Sequence, residues 1–130
     1  MCKPDLTIYN LADPGYTSWR TAIYALSRCS KTYMQLSGGL SEMPDSLRQR
    51  SAEDIFDAVH PWLGILLATF GPERLIFGSD WPVSTVGVKD NAWDKWLGVV
   101  RRMCDMASLR EDKMRRLYSG TAIEAFRLEA

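Results

Sequence analysis

The chain has 130 residues, enough for one domain with a hydrophobic core. Lys plus Arg equal Asp plus Glu at 16 each, so the formal net charge is zero. Nucleic-acid and anionic-membrane partners need a clustered basic surface, so we expect neither. An apolar content of 46% and a charged content of 25% are those of ordinary soluble globular domains.

The cysteines are few and widely spaced, at Cys2, Cys29 and Cys104. No Cys-x-x-Cys pair exists, so neither a zinc site nor a disulfide framework is indicated. Residues 1–5 lack the apolar run of a signal peptide, and the apolar segment 61–70 is about half the length of a membrane span. We therefore expect reduced thiols and a cytoplasmic protein.

The first part of the chain predicts one helix and one strand. Residues 1–16 contain prolines, an aspartate and a glycine that are typical of a loop. Residues 17–18 can cap a helix over 18–29. Apolar residues recur in this helix at helical spacing, at Trp19, Ile23 and Leu26. Residues 32–37 form a strand candidate ended by two glycines, and 38–50 are predicted to be a mobile loop.

The middle of the chain predicts a long helical region followed by a strand. Ser51 to Asp54 resemble a capping box, with Asp at its last position. Pro61 fits best as the first residue of a second helical segment, which ends at Gly71-Pro72. The short apolar run within 74–78 predicts a buried strand.

The remaining segment predicts two further helices after a loop at 83–90. One spans 91–106, with Trp93, Trp96, Leu97 and Val100 facing inward, and a capping box at 108–111 begins the last. Four tryptophans are expected in the core, namely Trp19, Trp62, Trp93 and Trp96. Alternating strands and helices indicate an α/β fold with a parallel sheet and right-handed crossovers, in one domain over 1–130.

The strand at 74–78 leads to the chain's main candidate for chemistry. Its apolar run stops at Gly78-Ser79 and is followed by the carboxylate of Asp80, then by Trp81-Pro82. Catalytic groups of barrel-type α/β folds lie at the carboxyl ends of the strands. From the residues alone, Asp80 is either such a group or an acid that caps the turn before Trp81.

Residues 70–83 closely resemble the last-strand motif of the amidohydrolase-related family, in its branch of sugar lactonases and 2-pyrone-4,6-dicarboxylate lactonase-like hydrolases. Three other segments match in the right order: 1–4 after the sixth strand, 33–38 at the seventh strand, and 121–122 at the closing helix. The resemblance implies the C-terminal portion of a (β/α)₈ TIM-like barrel. The chain supplies about two parallel strands with flanking helices, so we expect an incomplete barrel.

The resemblance implies roles for single residues. Asp80 corresponds to the last-strand acid, which in the family either ligates a divalent metal such as zinc or activates water. Ser37 and Trp81 are candidates for substrate binding; a turn role for Ser37 and a packing role for Trp81 are the alternatives. The family's His-x-His has no counterpart, and His60, the only histidine, is expected to be structural. We expect no cofactor in this chain itself, although the complete family fold admits zinc.

The implied activity is hydrolysis of a lactone or related cyclic ester. One carboxylate without partners cannot hold a catalytic metal or orient a substrate, so we expect the chain alone to be truncated and inactive. The alternatives are a superfamily decarboxylase of aromatic or muconate-type acids, and a non-catalytic remnant or half-barrel partner. An exposed sheet edge predicts self-association or pairing with an N-terminal half-barrel.

Overall fold

Helices pack beside a small sheet in the computed structural model, which describes residues 1–89 and 91–129. The helices are α1 (Pro14–Ser27), α2 (Asp45–Arg48), α3 (Ala52–Phe70), α4 (Ala92–Met106), α5 (Glu111–Arg115) and α6 (Thr121–Phe126), and the strands are β1 (Met34–Leu36) and β2 (Leu75–Phe77). Single 3₁₀ turns lie at Leu40–Glu42 and Val83–Thr85, and a π-helical turn at Arg116–Gly120 joins α5 to α6. Within these ranges, no helix is long and apolar enough to cross a membrane.

The two strands pair in parallel, as the alternation of strands and helices predicts. Gln35 lies opposite Ile76, so the two strands are in register at their centres. Side chains alternate between the faces of a strand. Met34 and Leu36 are buried while Gln35 between them is exposed, so one face of β1 meets the hydrophobic core and the other does not.

Helix α1 begins four residues earlier than the pattern at 17–18 predicts. The Asp13 side chain accepts a hydrogen bond from the Gly15 N–H at 2.7 Å, and Pro14 occupies the first helical position. An acid at the N-cap followed by proline is a strong helix start, because proline's fixed φ suits that position and its missing N–H costs nothing there. Thr17 and Ser18 therefore lie inside the helix, and their predicted capping role is wrong.

Helix α3 runs unbroken through Pro61, so the predicted second helical segment is wrong. The predicted cap at its start is confirmed, since Ser51 Oγ accepts from the Asp54 N–H at 3.1 Å. Pro61 cannot donate to the carbonyl of Asp57, four residues back. Nδ1 of His60 lies 2.9 Å from that carbonyl oxygen and replaces the lost donor, which gives His60 a structural role in the helix.

Residues 38–50, predicted to be a mobile loop, are instead ordered by burial. They contain the 3₁₀ turn Leu40–Glu42 and helix α2, whose buried apolar residues are Leu40, Met43 and Leu47. Trp96 of α4 packs on this segment at Gly39, and its Nε1 donates to the Leu36 carbonyl at 3.0 Å. The turn is thus fixed against β1 by contacts with a helix 50 residues further along the chain.

Helix α4 starts at Ala92, where the Asn91 side chain accepts hydrogen bonds from two N–H groups of the first turn. Trp96 and Val100 are buried, as predicted. Trp93 is 48% exposed, which contradicts its assignment to the core. Its ring meets Phe77 edge-on, with the centroids 5.3 Å apart. Trp93 thus contacts the sheet at Phe77 while about half of its surface stays exposed.

The last helices begin later than the motif at 108–111 predicts. Ser108 has a positive φ of 50°, and helix α5 starts at Glu111, after Arg110, without a side-chain cap. The predicted capping box is therefore wrong. Helix α6 is instead held by buried Thr121, whose Oγ1 donates to the Pro72 carbonyl at 2.9 Å. This bond ties the end of the fold to the turn that precedes β2.

The three cysteines differ in the solvent accessibility of their thiols, and this difference gives a simple test of the packing. Cys2 and Cys29 are exposed free thiols, whereas Cys104 is buried in α4, and this burial raises the pKa of its thiol. Only the thiolate is nucleophilic. With a chromogenic disulfide reagent at pH 8, we expect two thiols to react quickly and the third only on unfolding. Cys104→Ala should remove the slow thiol, and equal rates for all three thiols would contradict this packing.

Candidate functional site

A cleft of about 360 Å³ lies at the carboxyl ends of the two strands. Ser37 enters it from the end of β1, and Asp80 from the segment after β2. Ser41 and Glu42 come from the 3₁₀ turn that follows β1, and Lys3 from the start of the chain. The cleft is therefore built by the strand ends, where barrel-type enzymes carry their catalytic groups.

Asp80 reaches the cleft through a turn that its own backbone stabilises. Its φ is +58°, in the left-handed region that Asp adopts more readily than most residues. The Asp80 carbonyl accepts from the Ser84 N–H at 2.8 Å, which anchors the 3₁₀ turn Val83–Thr85. The Trp81 N–H is bound instead by the Ser79 hydroxyl at 3.2 Å. Ser79 thus performs the capping that was the alternative role for Asp80.

The Asp80 carboxylate is held on one side by Ser41. Ser41 Oγ donates to Oδ2 of Asp80 at 3.1 Å. Gly38, with a φ of +76°, brings its backbone close to the same oxygen, since a Cβ there would lie 3.7 Å from Oδ2. Sequence reasoning missed Ser41 because it lies within the segment predicted to be a loop. The apolar spacing of Leu40, Met43 and Leu47 is the signal that would have located an ordered turn there.

The structure separates the two predicted substrate-binding residues. Ser37 lines the cleft, and the end of β2 approaches it so closely that a Cβ on Gly78 would lie 3.0 Å from Cβ of Ser37. Trp81 is 75% exposed and is not part of the cleft lining. The fold therefore brings Ser37 together with Asp80 and leaves Trp81 outside. Their contact with substrate stays a prediction.

The donor set of residues 1–89 and 91–129 does not by itself fit a catalytic metal. No group of three or more His, Cys, Asp or Glu side chains there is close enough to hold an ion. The cleft receives the carboxylates of Asp80 and Glu42, whereas His60 packs against Phe56 on α3. Catalytic zinc uses three protein ligands, so two carboxylates fall short of a complete site.

The first residues of the chain bring charge to the open edge of β1. The amino group of Met1 donates to the Gln35 carbonyl at 2.8 Å. Burial lowers the pKa of this amino group, and the negative charges of Asp80 and Glu42 oppose that shift. The cleft thus brings the two acids Asp80 and Glu42 together with the ammonium group of Lys3.

A comparison with protein families identifies this fold. The family described as amidohydrolase matches residues 3–128. The chain belongs to the amidohydrolase family. The match includes β1, β2 and the whole segment that delivers Asp80, so the family resemblance inferred from residues 70–83 is confirmed.

Curated relatives of this amidohydrolase are sugar lactonases. The L-rhamnono-gamma-lactonase of Scheffersomyces stipitis is 31% identical over 121 residues, which cover 90% of this chain and 35% of that protein. The L-fucono-1,5-lactonase of Burkholderia multivorans is 31% identical over 126 residues, covering 97% of this chain and 40% of that protein. The chain thus spans less than half the length of these relatives, and its likeness to lactone hydrolases is confirmed.

Solved structures agree on the fold. A Burkholderia multivorans amidohydrolase with bound HEPES superposes with a TM-score of 0.81 at 30% identity, over 98% of this chain and 42% of that one. A zinc-bound structure of an amidohydrolase from that organism gives 0.79 at 29% identity, over 97% and 41%. The predicted fold class is confirmed: this amidohydrolase chain is an α/β portion of a TIM-like barrel, with two parallel strands and flanking helices.

Proposed function

We propose that this chain is the C-terminal part of a lactone hydrolase domain and that Asp80 is its general base. The observation that carries the proposal is the position of Asp80: its carboxylate lines a cleft at the end of β2 and is held by a hydroxyl rather than used to cap the turn. The sugar lactonases among the relatives support lactone hydrolysis over the decarboxylase alternative.

The Asp80 carboxylate takes a proton from water while the water oxygen bonds to the lactone carbonyl carbon. The ring C–O bond then breaks, and the leaving alkoxide receives the proton from the Asp80 carboxylic acid. One water is consumed and one hydroxy acid is formed. The hydroxyl of Ser37 and the charges of Lys3 and Glu42 line the same cleft, which suits a substrate carrying several hydroxyl groups.

The remaining groups of the site would come from the part of the barrel that this chain does not span. If the complete fold holds zinc instead, Asp80 would be a ligand rather than the base, and the other ligands would come from that missing part. A groove of about 590 Å³ beside the sheet is lined by Gln35 of β1, Ile76 of β2 and Phe126 of α6. The described sheet has two strands, so the outer edge of β1 has no partner strand in it. We propose that an N-terminal half-barrel occupies this edge, self-association being the alternative, and that the chain alone is inactive. Its free thiols support a reducing, cytoplasmic setting.

A hybrid enzyme tests the proposed function. The segment of the Burkholderia multivorans L-fucono-1,5-lactonase that matches this chain over 126 residues is replaced by this chain. We expect the hybrid to open L-fucono-1,5-lactone well above the spontaneous rate, measured by titration of the acid released, and the isolated chain not to do so. A hybrid that is folded by circular dichroism yet no faster than the lactonase remnant without the inserted chain would refute the proposal. Release of CO₂ from an aromatic acid would favour the decarboxylase instead.

A further inference from the structure

Ser41 stands out among the cleft residues because it contacts the proposed base directly. Its hydroxyl donates to Oδ2 of Asp80 at 3.1 Å, although the two residues are 39 positions apart in the chain. The contact joins the segment after β1 to the segment after β2. A hydroxyl donor to a carboxylate is a charge-assisted bond, stronger than a neutral one.

The turn that carries Ser41 is rigid. Leu40 and Met43 flank it and are each 2% exposed. The Glu42 N–H donates to the carbonyls of Gly38 and Gly39, at 3.3 and 3.2 Å. Because the turn is held by the core and by backbone bonds, the Ser41 hydroxyl is presented at a fixed place, as a precise site requires.

The Asp80 backbone is equally fixed, so the contact acts on the side chain alone. The Asp80 carbonyl is bound by the Ser84 N–H at 2.8 Å, which leaves the side-chain torsions as the remaining freedom of the carboxylate. Ser41 binds Oδ2 and so restrains these torsions.

We propose that Ser41 is a positioning residue that fixes the Asp80 carboxylate for proton transfer from water. The inference rests on the proposed function of Asp80 and assigns a second residue, Ser41, a role in the same reaction. Removing the hydroxyl should lower the rate of the chemical step and leave substrate affinity nearly unchanged, because Ser41 acts through Asp80.

The kinetic test uses the hybrid lactonase. We expect Ser41→Ala to lower kcat about 10- to 100-fold, the range set by one hydrogen bond to a charged group, with little change in KM. Ser41→Thr keeps the hydroxyl and should restore most of the activity. Ser46→Ala is the matched control, since Ser46 is exposed on α2. In an Asp80→Asn background, Ser41→Ala should have no further effect. Unchanged kcat in Ser41→Ala, or an equal loss in both backgrounds, would overturn the proposal.

A second measurement needs no activity and uses the chain itself. The carboxyl ¹³C resonance of Asp80 is recorded by NMR in the unmodified chain, Ser41→Ala and Ser46→Ala. We expect Ser41→Ala to shift this resonance and Ser46→Ala to leave it in place. An unmoved resonance in Ser41→Ala overturns the proposal, whatever the hybrid does. A moved resonance supports the positioning contact even beside an inactive hybrid, in which case the proposed function alone fails.

Discussion

Asp80→Asn should lower kcat of the hybrid lactonase by about 10²- to 10⁴-fold, the usual contribution of a general base. The amide has nearly the shape of the carboxylate, but it cannot accept the proton of the attacking water. The turn should survive, because its bonds come from the Asp80 backbone and from the Ser79 hydroxyl. Initial rates of lactone opening, measured over a range of substrate concentrations, give kcat and KM separately.

Asp57→Asn is the control for the loss of one negative charge. Asp57 lies exposed on α3, outside the cleft, so the same chemical change there should leave kcat unaltered. Equal activity of Asp80→Asn and the unmodified hybrid would show that Asp80 is not the base. A rate loss accompanied by an equal loss in Asp57→Asn would point to a general effect of charge instead.

The position of the proposed base could be predicted because all its determinants are local. The apolar run Leu75–Phe77, the Gly78-Ser79 break and the following acid are adjacent in the chain, and the structure keeps them so. The same holds for the cap of α3 at Ser51, whose hydrogen-bond partner is three residues away. Short-range features of this kind can be deduced from residue types alone.

The surroundings of the base depend on contacts between distant segments, and sequence reasoning failed there. Ser41 meets Asp80 only because Trp96 and the core fix the turn after β1. Trp93 recurs at the helical spacing of a core residue, yet it contacts Phe77 at the end of β2 and is 48% exposed. Pro61 ordinarily breaks a helix, and its tolerance depends on a side chain, His60, that supplies the missing donor.

Gly39→Ala should lower the free energy of unfolding by about 1–3 kcal/mol, the usual cost of overpacking a core. A Cβ at Gly39 would lie 2.4 Å from Cη2 of Trp96, well inside contact distance. The φ of Gly39 is −60°, so alanine suits the backbone there and the cost is one of space alone. The Trp96 ring is 1% exposed and its Nε1 is bound to the Leu36 carbonyl, so it has little room to move aside.

Gly64→Ala is the matched control variant, and we expect it to raise the free energy of unfolding. Gly64 lies inside α3, and a Cβ there would have no neighbour within 4 Å. Alanine is favoured over glycine in a helix interior by about 1 kcal/mol, so this variant should be more stable than the unmodified chain. Urea unfolding followed by tryptophan fluorescence and by circular dichroism measures both variants on one scale.

Comparing the two variants separates the steric cost of a methyl group at Gly39 from the general effect of replacing glycine by alanine. If Gly39→Ala is as stable as the unmodified chain while Gly64→Ala is stabilised, then Trp96 does not press on the turn as the structure has it. We also expect the added methyl group to displace the turn that carries Ser41. The Asp80 carboxyl resonance should then move in Gly39→Ala and stay in place in Gly64→Ala, because only the first change lies between the core and the cleft.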